Sequence, residues 1–191
     1  MHWSVKGIIK VFSTVSFVVF YLFLIPWLTH ELGKSLDWLF LHYFFSIDVL
    51  ALPAQIVSIL RAFGWGVMAT GSIIFIKSWL DLARAAKFLP IIALARKNLG
   101  PQKLVTTGLY AHVRHPMLLG YLVCLFGLSI VSLSPFMAIW VVPLVGYFSL
   151  TVEVETEERE LNSWFGKKYR EYQKKVPALI PRCCKPQPEK G

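Results

Sequence analysis

Residues 104–120 read LVTTGLYAHVRHPMLLG, and the rest of the chain is arranged around them. A polar loop passes through Gly108 into an Arg and His cluster, and from there directly into an apolar run. Pro116 marks the join. Proline lacks an amide donor and has a fixed φ, so it suits the first turn of a helix and not its middle. The spacing therefore predicts a helix starting at Pro116, with His115 at its mouth and Arg114 just outside. A helix N-terminus presents unpaired amides and partial positive charge, which favours anionic groups. A second polar cluster, Glu153 to Glu160, closes the last long apolar stretch. We expect the two clusters to form one site.

The chain has 191 residues, of which 55% are hydrophobic and only 16% charged. A soluble domain carries about 25% charged residues, so the composition predicts an integral membrane protein. The formal net charge is +9. The basic residues flank apolar runs, which is the positive-inside pattern of a membrane chain rather than a nucleic-acid-binding surface. Cys124, Cys183 and Cys184 lack the spacing of a disulfide framework or a metal site and read as free thiols. His112 and His115 have no third ligand at a convincing spacing, so no metal centre is expected. The N-terminal apolar run is too long for a cleaved signal peptide and no small-residue cleavage site follows it.

Ile8 to Leu28 is apolar throughout and long enough to span, since about 20 residues cross the hydrocarbon core. Leu36 to Leu52 is apolar but carries Asp37, His42 and Asp48. Charge at the bilayer centre is costly, so this stretch reads as an interfacial or re-entrant helix, with a short extra span as the alternative. Gln55 to Leu80 is the second clear span, with Gly64, Gly66 and Gly71 offering a close-packing face. The Gly64-Trp65-Gly66 triplet follows no strand and reads as packing, not as a nucleotide loop. Asp81 to Arg114 is a long connection with Asp81 as its sole acid, and its basic residues place it on the cytoplasmic side. Pro116 to Leu133 and Phe136 to Val152 read as the third and fourth spans, with Ser134-Pro135 between them and Pro143 as a kink in the fourth. Gly120, Cys124 and Gly127 recur at helical spacing and give the third span its own close-packing face.

The fold expected is all-α: a polytopic membrane protein of about four transmembrane helices, a further interfacial or re-entrant helix, and C-terminal helices in the cytoplasm. Residues 1–182 form one domain and 183–191 a disordered tail. Beyond the fourth span, Val154, Glu158, Leu161 and Phe165 share one helical face, so Glu158 falls on an apolar stripe. Gly166 ends that helix, and Lys167 to Lys175 forms another bearing Tyr169 and Tyr172.

The tight hairpin returns Arg114 and His115 to the neighbourhood of Glu157 and Glu158. One wall of the resulting pocket offers Tyr110, Arg114, His115 and a helix mouth, and the other offers the glutamates. Cations facing anions suit a zwitterionic ligand bearing an ammonium, a carboxylate and hydroxyls. The same residues also fit a purely structural clamp between Arg114 and a glutamate.

LVTTGLYAHVRHPMLLG resembles the signature of a family of integral membrane methyltransferases that includes isoprenylcysteine carboxyl methyltransferase and the phospholipid N-methyltransferases. The family pattern is Gly-x-Tyr-x-x-x-Arg-(His/Asn)-Pro-Met-Tyr, a hairpin, a Glu-Glu pair, then Phe-Gly-x-x-Tyr-x-x-Tyr and Val-Pro-x-x-x-Pro. The second half reads EERELNSWFGKKYREYQKKVPALIP here. The resemblance covers residues 104–181. Leu118 stands where the family carries a tyrosine, and Glu153 where some members place an arginine.

The resemblance implies S-adenosylmethionine as cofactor in a cytoplasmic-side pocket, with the acceptor arriving from the bilayer. It implies cofactor contacts from Leu104, Val105, Gly108, Tyr110, His115, Pro116, Glu157 and Glu158, and a catalytic role for Arg114 and His115. The acceptor is a lipid or other amphiphile: prenylcysteine carboxylate, phospholipid amine and thiol all fit. Two other classes carry related features. Sterol and steroid reductases that use NADPH end in a similar Arg-His-Pro and Tyr pattern but usually lack the adjacent glutamates, and a non-enzymatic membrane scaffold could keep the fold.

Overall fold

The computed structural model describes residues 52–86 and 103–180, together with Trp27, Glu31, residues 35–37 and Leu39. The expected first span (8–28), most of the 36–52 stretch, the middle of the 81–114 connection and the 183–191 tail lie outside the described residues. Every described segment of regular structure is helical.

Helix α1 spans Ala54–Ala86. It outruns the expected Gln55–Leu80 span because Leu82, Ala83, Arg84, Ala85 and Ala86 are strong helix formers and Arg84 sits in the last turn, where a cation complements the helix dipole. A 3-10 turn, Gly108–Ala111, leads to α2, Pro116–Val131, whose N-cap is His115 as the position of Pro116 requires. Helix α3, Met137–Phe165, is one continuous rod. A membrane span and a separate charged helix were expected there. Nothing after Pro143 breaks the ladder, so the apolar part runs straight into the acidic part. Instead of a break, the rod contains two π-helical segments, Met137–Val141 just before Pro143 and Ser149–Val154 before the glutamates. Proline removes one i→i−4 hydrogen bond, and a locally widened helix absorbs that loss. Gly166, at φ 51°, ends α3, and α4 is Lys167–Lys175.

Helices α1 and α3 are both long and apolar enough to cross a membrane. Their outer faces carry exposed Ile59, Phe63, Ile73, Trp140 and Leu144, the pattern of a surface solvated by lipid rather than water. Helix α2 has 16 residues, about 24 Å at 1.5 Å per residue.

Helices α1 and α2 run antiparallel with their backbones in contact. A Cβ on Gly71 would lie 2.5 Å from the Cys124 amide nitrogen, and one on Gly127 would lie 2.5 Å from that of Met68. Gly64 and Gly120 are closed in the same way, whereas Gly66 faces open space and takes no part in the contact. Cys124 Sγ, which lies on this seam, bonds to the Met68 carbonyl at 3.3 Å and meets Ser72 Oγ at 3.3 Å. Small residues at this spacing bring two membrane helices close enough for dispersion and weak polar contacts to hold them.

The α2–α3 hairpin begins with Ser134 as a cap. Its hydroxyl accepts the Met137 amide at 3.2 Å, ahead of Pro135 in the first turn. Asp37, buried, accepts the Phe136 amide at 2.9 Å and adds a carboxylate to the same positive helix end. Tyr121, Leu125 and Met137 form the core between these helices. At the opposite end, Tyr169, Tyr172 and Val176 pack with Leu104, Leu161 and Phe165 in a second cluster.

Candidate functional site

The second cluster is the floor of the site. Leu161 and Phe165 present the expected apolar stripe of α3, and Tyr169 and Tyr172 present the inner face of α4. The Tyr172 hydroxyl donates to the Tyr110 carbonyl at 2.5 Å, tying α4 to the 3-10 turn. Burial, with the Glu158 charge adding to it against an opposing Arg114, pushes the Tyr172 phenol up to about 12. It therefore stays a hydroxyl at neutral pH and keeps donating.

The chain beyond α4 then straps the mouth of α2. The Arg114 amide donates to the Pro177 carbonyl at 2.9 Å, and the His115 amide to Ala178 at 3.0 Å. These bonds satisfy donors at a buried helix start that would otherwise be orphaned. The Arg114 guanidinium reaches back to the Gln173 and Val176 carbonyls, each at 2.9 Å. It thus caps the C-terminus of α4, where a cation is favoured.

Between the two walls lies a charge chain. Arg114 Nη2 is 2.8 Å from Glu158 Oε1. His115 Nε2 is 3.2 Å from that same oxygen, and His115 Nδ1 is 3.2 Å from Glu157 Oε2. A neutral imidazole donates from one nitrogen, so a carboxylate at each nitrogen favours the imidazolium. Burial, the largest single influence, opposes that charge. Hydrogen bonds to Glu157 and Glu158, and their charges, outweigh it, so His115 titrates above its ordinary value of 6.5. Gln173 Nε2 completes the shell by donating to Glu158 Oε2 at 2.8 Å.

The structure thus brings Arg114, His115, Glu157 and Glu158 into one cluster, and Tyr110 is joined to it through Tyr172. The two glutamates are not equivalent. Glu158 is 18% exposed and held by three side chains, whereas Glu157 is 62% exposed. The structural clamp between Arg114 and Glu158 is therefore present. Pro116 is fully buried in the first turn of α2. Gly108 adopts the left-handed region at φ 65°. Leu104 lies in the tyrosine cluster, and Val105 beside it is half-buried.

Sequence reasoning missed Gln173 and Asp81 as members of this neighbourhood. Gln173 follows Tyr169 and Tyr172 on the buried stripe of α4, an i, i+3, i+4 signal that was available. Asp81 stands out only as the lone acid among the bases of its connection.

The residues present suit a cofactor with hydrogen-bond donors and positive charge. The Glu157 side chain is 62% exposed beyond its contact with His115, and the enclosed Asp81 Oδ2 accepts no hydrogen bond among the described residues. A buried lone carboxylate oxygen is costly until a donor meets it.

The chain is similar to protein-S-isoprenylcysteine O-methyltransferase of Schizosaccharomyces pombe, 32% identical over 139 residues, covering 71% of this chain and 57% of that protein. It is similar to protein-S-isoprenylcysteine O-methyltransferase B of Arabidopsis thaliana, 30% identical over 119 residues, covering 62% and 58%. It is also similar to methanethiol S-methyltransferase of Pseudomonas deceptionensis, 31% identical over 147 residues, covering 68% and 47%. The chain spans about half the length of these curated relatives. Residues 59–168, more than half of the chain and the whole path from α1 through the charge cluster to the start of α4, match the phospholipid methyltransferase family, and the chain belongs to that family.

Proposed function

We propose that this protein is an S-adenosylmethionine-dependent methyltransferase of the membrane that methylates a lipid or amphiphilic acceptor. The observation that carries the reading is the cluster at the α2 mouth, where Arg114 and His115 meet Glu157 and Glu158, in a chain of this family. In this reading Glu157 takes the polar groups of the cofactor, with Tyr110, Gly108, Val105 and the backbone around His115 and Pro116 shaping its pocket. Leu104 supports that pocket from the tyrosine cluster. Glu158 holds Arg114 and His115 in place, and these two line the path of the acceptor.

The cofactor supplies a methyl group on a positively charged sulfur. Transfer from it would be a direct displacement, so the part left to this chain would be to align acceptor and donor. The tyrosine floor and the strap at 177–178 bury the Arg114, His115 and Glu158 side of the site, which would limit water there and protect the reagent. An acceptor that must lose a proton needs a base as well; a prenylcysteine carboxylate or a thiolate does not.

The topology that fits this chemistry has four spans: the segment at 8–28, α1, α2 and the apolar part of α3. The connection after α1, the acidic end of α3, α4 and both termini face the cytoplasm, and residues 1–182 act as one domain. The named relatives act on isoprenylcysteine or methanethiol, so the acceptor panel to test is a prenylcysteine, a small thiol and a phospholipid amine.

The test uses the full chain in detergent. Calorimetric titration with S-adenosylhomocysteine and with NADPH comes first, followed by transfer of labelled methyl to each acceptor. Binding of the homocysteine nucleoside and methylation of one acceptor are expected. Binding of NADPH alone would assign the protein to the reductases, and binding of neither would make it a scaffold.

A further inference from the structure

The geometry points to Asp81 as a third carboxylate of the site, contributed by α1, that accepts a hydrogen bond from the methyl donor. This rests on the functional reading above. Asp81 lies in the last turns of α1, just before the connection that returns to the α2 mouth. Its only ion partner among the described residues is Arg84, at 3.8 Å and 77% exposed, on Oδ1. An exposed contact at that distance is weak. Oδ2 is enclosed and accepts nothing among the described residues.

That oxygen lies against the Gly108 turn. A Cβ on Gly108 would stand 2.6 Å from Oδ2, and Gly108 has φ 65°. Any L-residue there would be strained and would press on the carboxylate. Glycine thus leaves Asp81 directly against the turn that carries Tyr110. Burial first, then the charges of Glu157, Tyr172 and Asp81, push the Tyr110 phenol above its usual range. The carboxylates of α1 and α3 therefore act on one phenol from two helices.

An enclosed carboxylate oxygen without a donor costs free energy, and a ligand N–H or O–H offsets that cost. S-adenosylmethionine offers three such groups: an α-ammonium, the ribose hydroxyls and the adenine amine. If Asp81 meets one of them, its charge should be a burden to the apo protein and an asset only to the complex. A carboxylate that merely positions the Gly108 turn would behave in the opposite way.

The test is Asp81→Asn in the full chain in detergent, melted without ligand and titrated with S-adenosylhomocysteine and 5′-methylthioadenosine. The apo melting temperature should hold or rise, and affinity for S-adenosylhomocysteine should fall about ten- to a hundredfold. 5′-Methylthioadenosine keeps the ribose and lacks the amino acid. Its unchanged affinity assigns Asp81 to the ammonium, and an equal loss assigns it to the nucleoside, its ribose hydroxyls or adenine amine. Unchanged affinity for both nucleosides, with normal wild-type binding, overturns the inference and leaves the functional reading standing. Wild-type protein that binds neither overturns both. Should the Asn variant fail to fold, Asp81→Glu, which keeps the charge and moves its oxygens by one methylene, must weaken S-adenosylhomocysteine binding; undiminished binding overturns the inference.

Discussion

Glu158→Gln separates the clamp from the ligand at the centre of the site. Oε1 receives Arg114 at 2.8 Å and His115 at 3.2 Å, and Oε2 receives Gln173 at 2.8 Å. The Arg114 and Glu158 side chains are 14% and 18% exposed, too little for solvent to screen the pair. Removing one partner of a buried pair costs about 3–5 kcal/mol, because the other charge stays behind unpaired. Glutamine still offers one acceptor to Arg114, so we expect the lower end, about 3 kcal/mol. It must also turn an amide toward Gln173, which has a donor there already, unless Gln173 flips. For a chain of this size each kcal/mol moves the melting temperature by about 2–4 °C, so a drop of about 6–12 °C is expected. The assay is thermal melting of the apo protein in detergent, followed by the cycle with Arg114→Met. Arg114 also caps α4, so its own loss should be larger than that of Glu158. The cycle should then show a coupling of about 1–3 kcal/mol. An unchanged or raised melting temperature for Glu158→Gln would refute the clamp and mean that the carboxylate is a burden held for a ligand. A fall in S-adenosylhomocysteine affinity is expected as a secondary effect, through misplacement of His115 and Arg114.

Three further outcomes follow from the geometry. His115 has a folded-state pKa above its ordinary 6.5, so its contribution is fully present below that value and is lost as pH rises through the raised value. Wild-type melting temperature should decline over that window above pH 6.5, and His115→Gln should lose the decline; parallel pH profiles would count against an imidazolium. Gly71→Ala places a methyl 2.5 Å from the Cys124 amide nitrogen and should cost about 1–3 kcal/mol by overpacking, whereas Gly66→Ala, with nothing nearby, should gain up to about 1 kcal/mol from helix propensity. Equal melting shifts for the two would sink the α1–α2 seam. Ser134→Ala removes the hydroxyl that caps Met137 and should cost about 1 kcal/mol, read as a lower melting temperature with ligand affinity intact.

What the sequence determined by itself was local. Pro116 started α2 and Gly166 ended α3, because a missing donor and a positive φ act within a turn of where they occur. The stripe of Val154, Leu161 and Phe165 announced a buried face through its period alone, and it carried Glu158 with it. The meeting of Arg114 and His115 with the glutamates was also legible, since one tight hairpin leaves both clusters at the same end. Tertiary structure decided what depends on distances between elements far apart in the chain. It chose Gly64 and Gly71 over Gly66 for the seam, because only helix rotation tells which glycine faces the partner backbone. It gave Glu158 three partners and left Glu157 open, although adjacent residues on a helix look alike in a sequence. It set Asp81 against Gly108, an approach no periodicity encodes, because it is made by the end of one helix and a turn beyond a long connection.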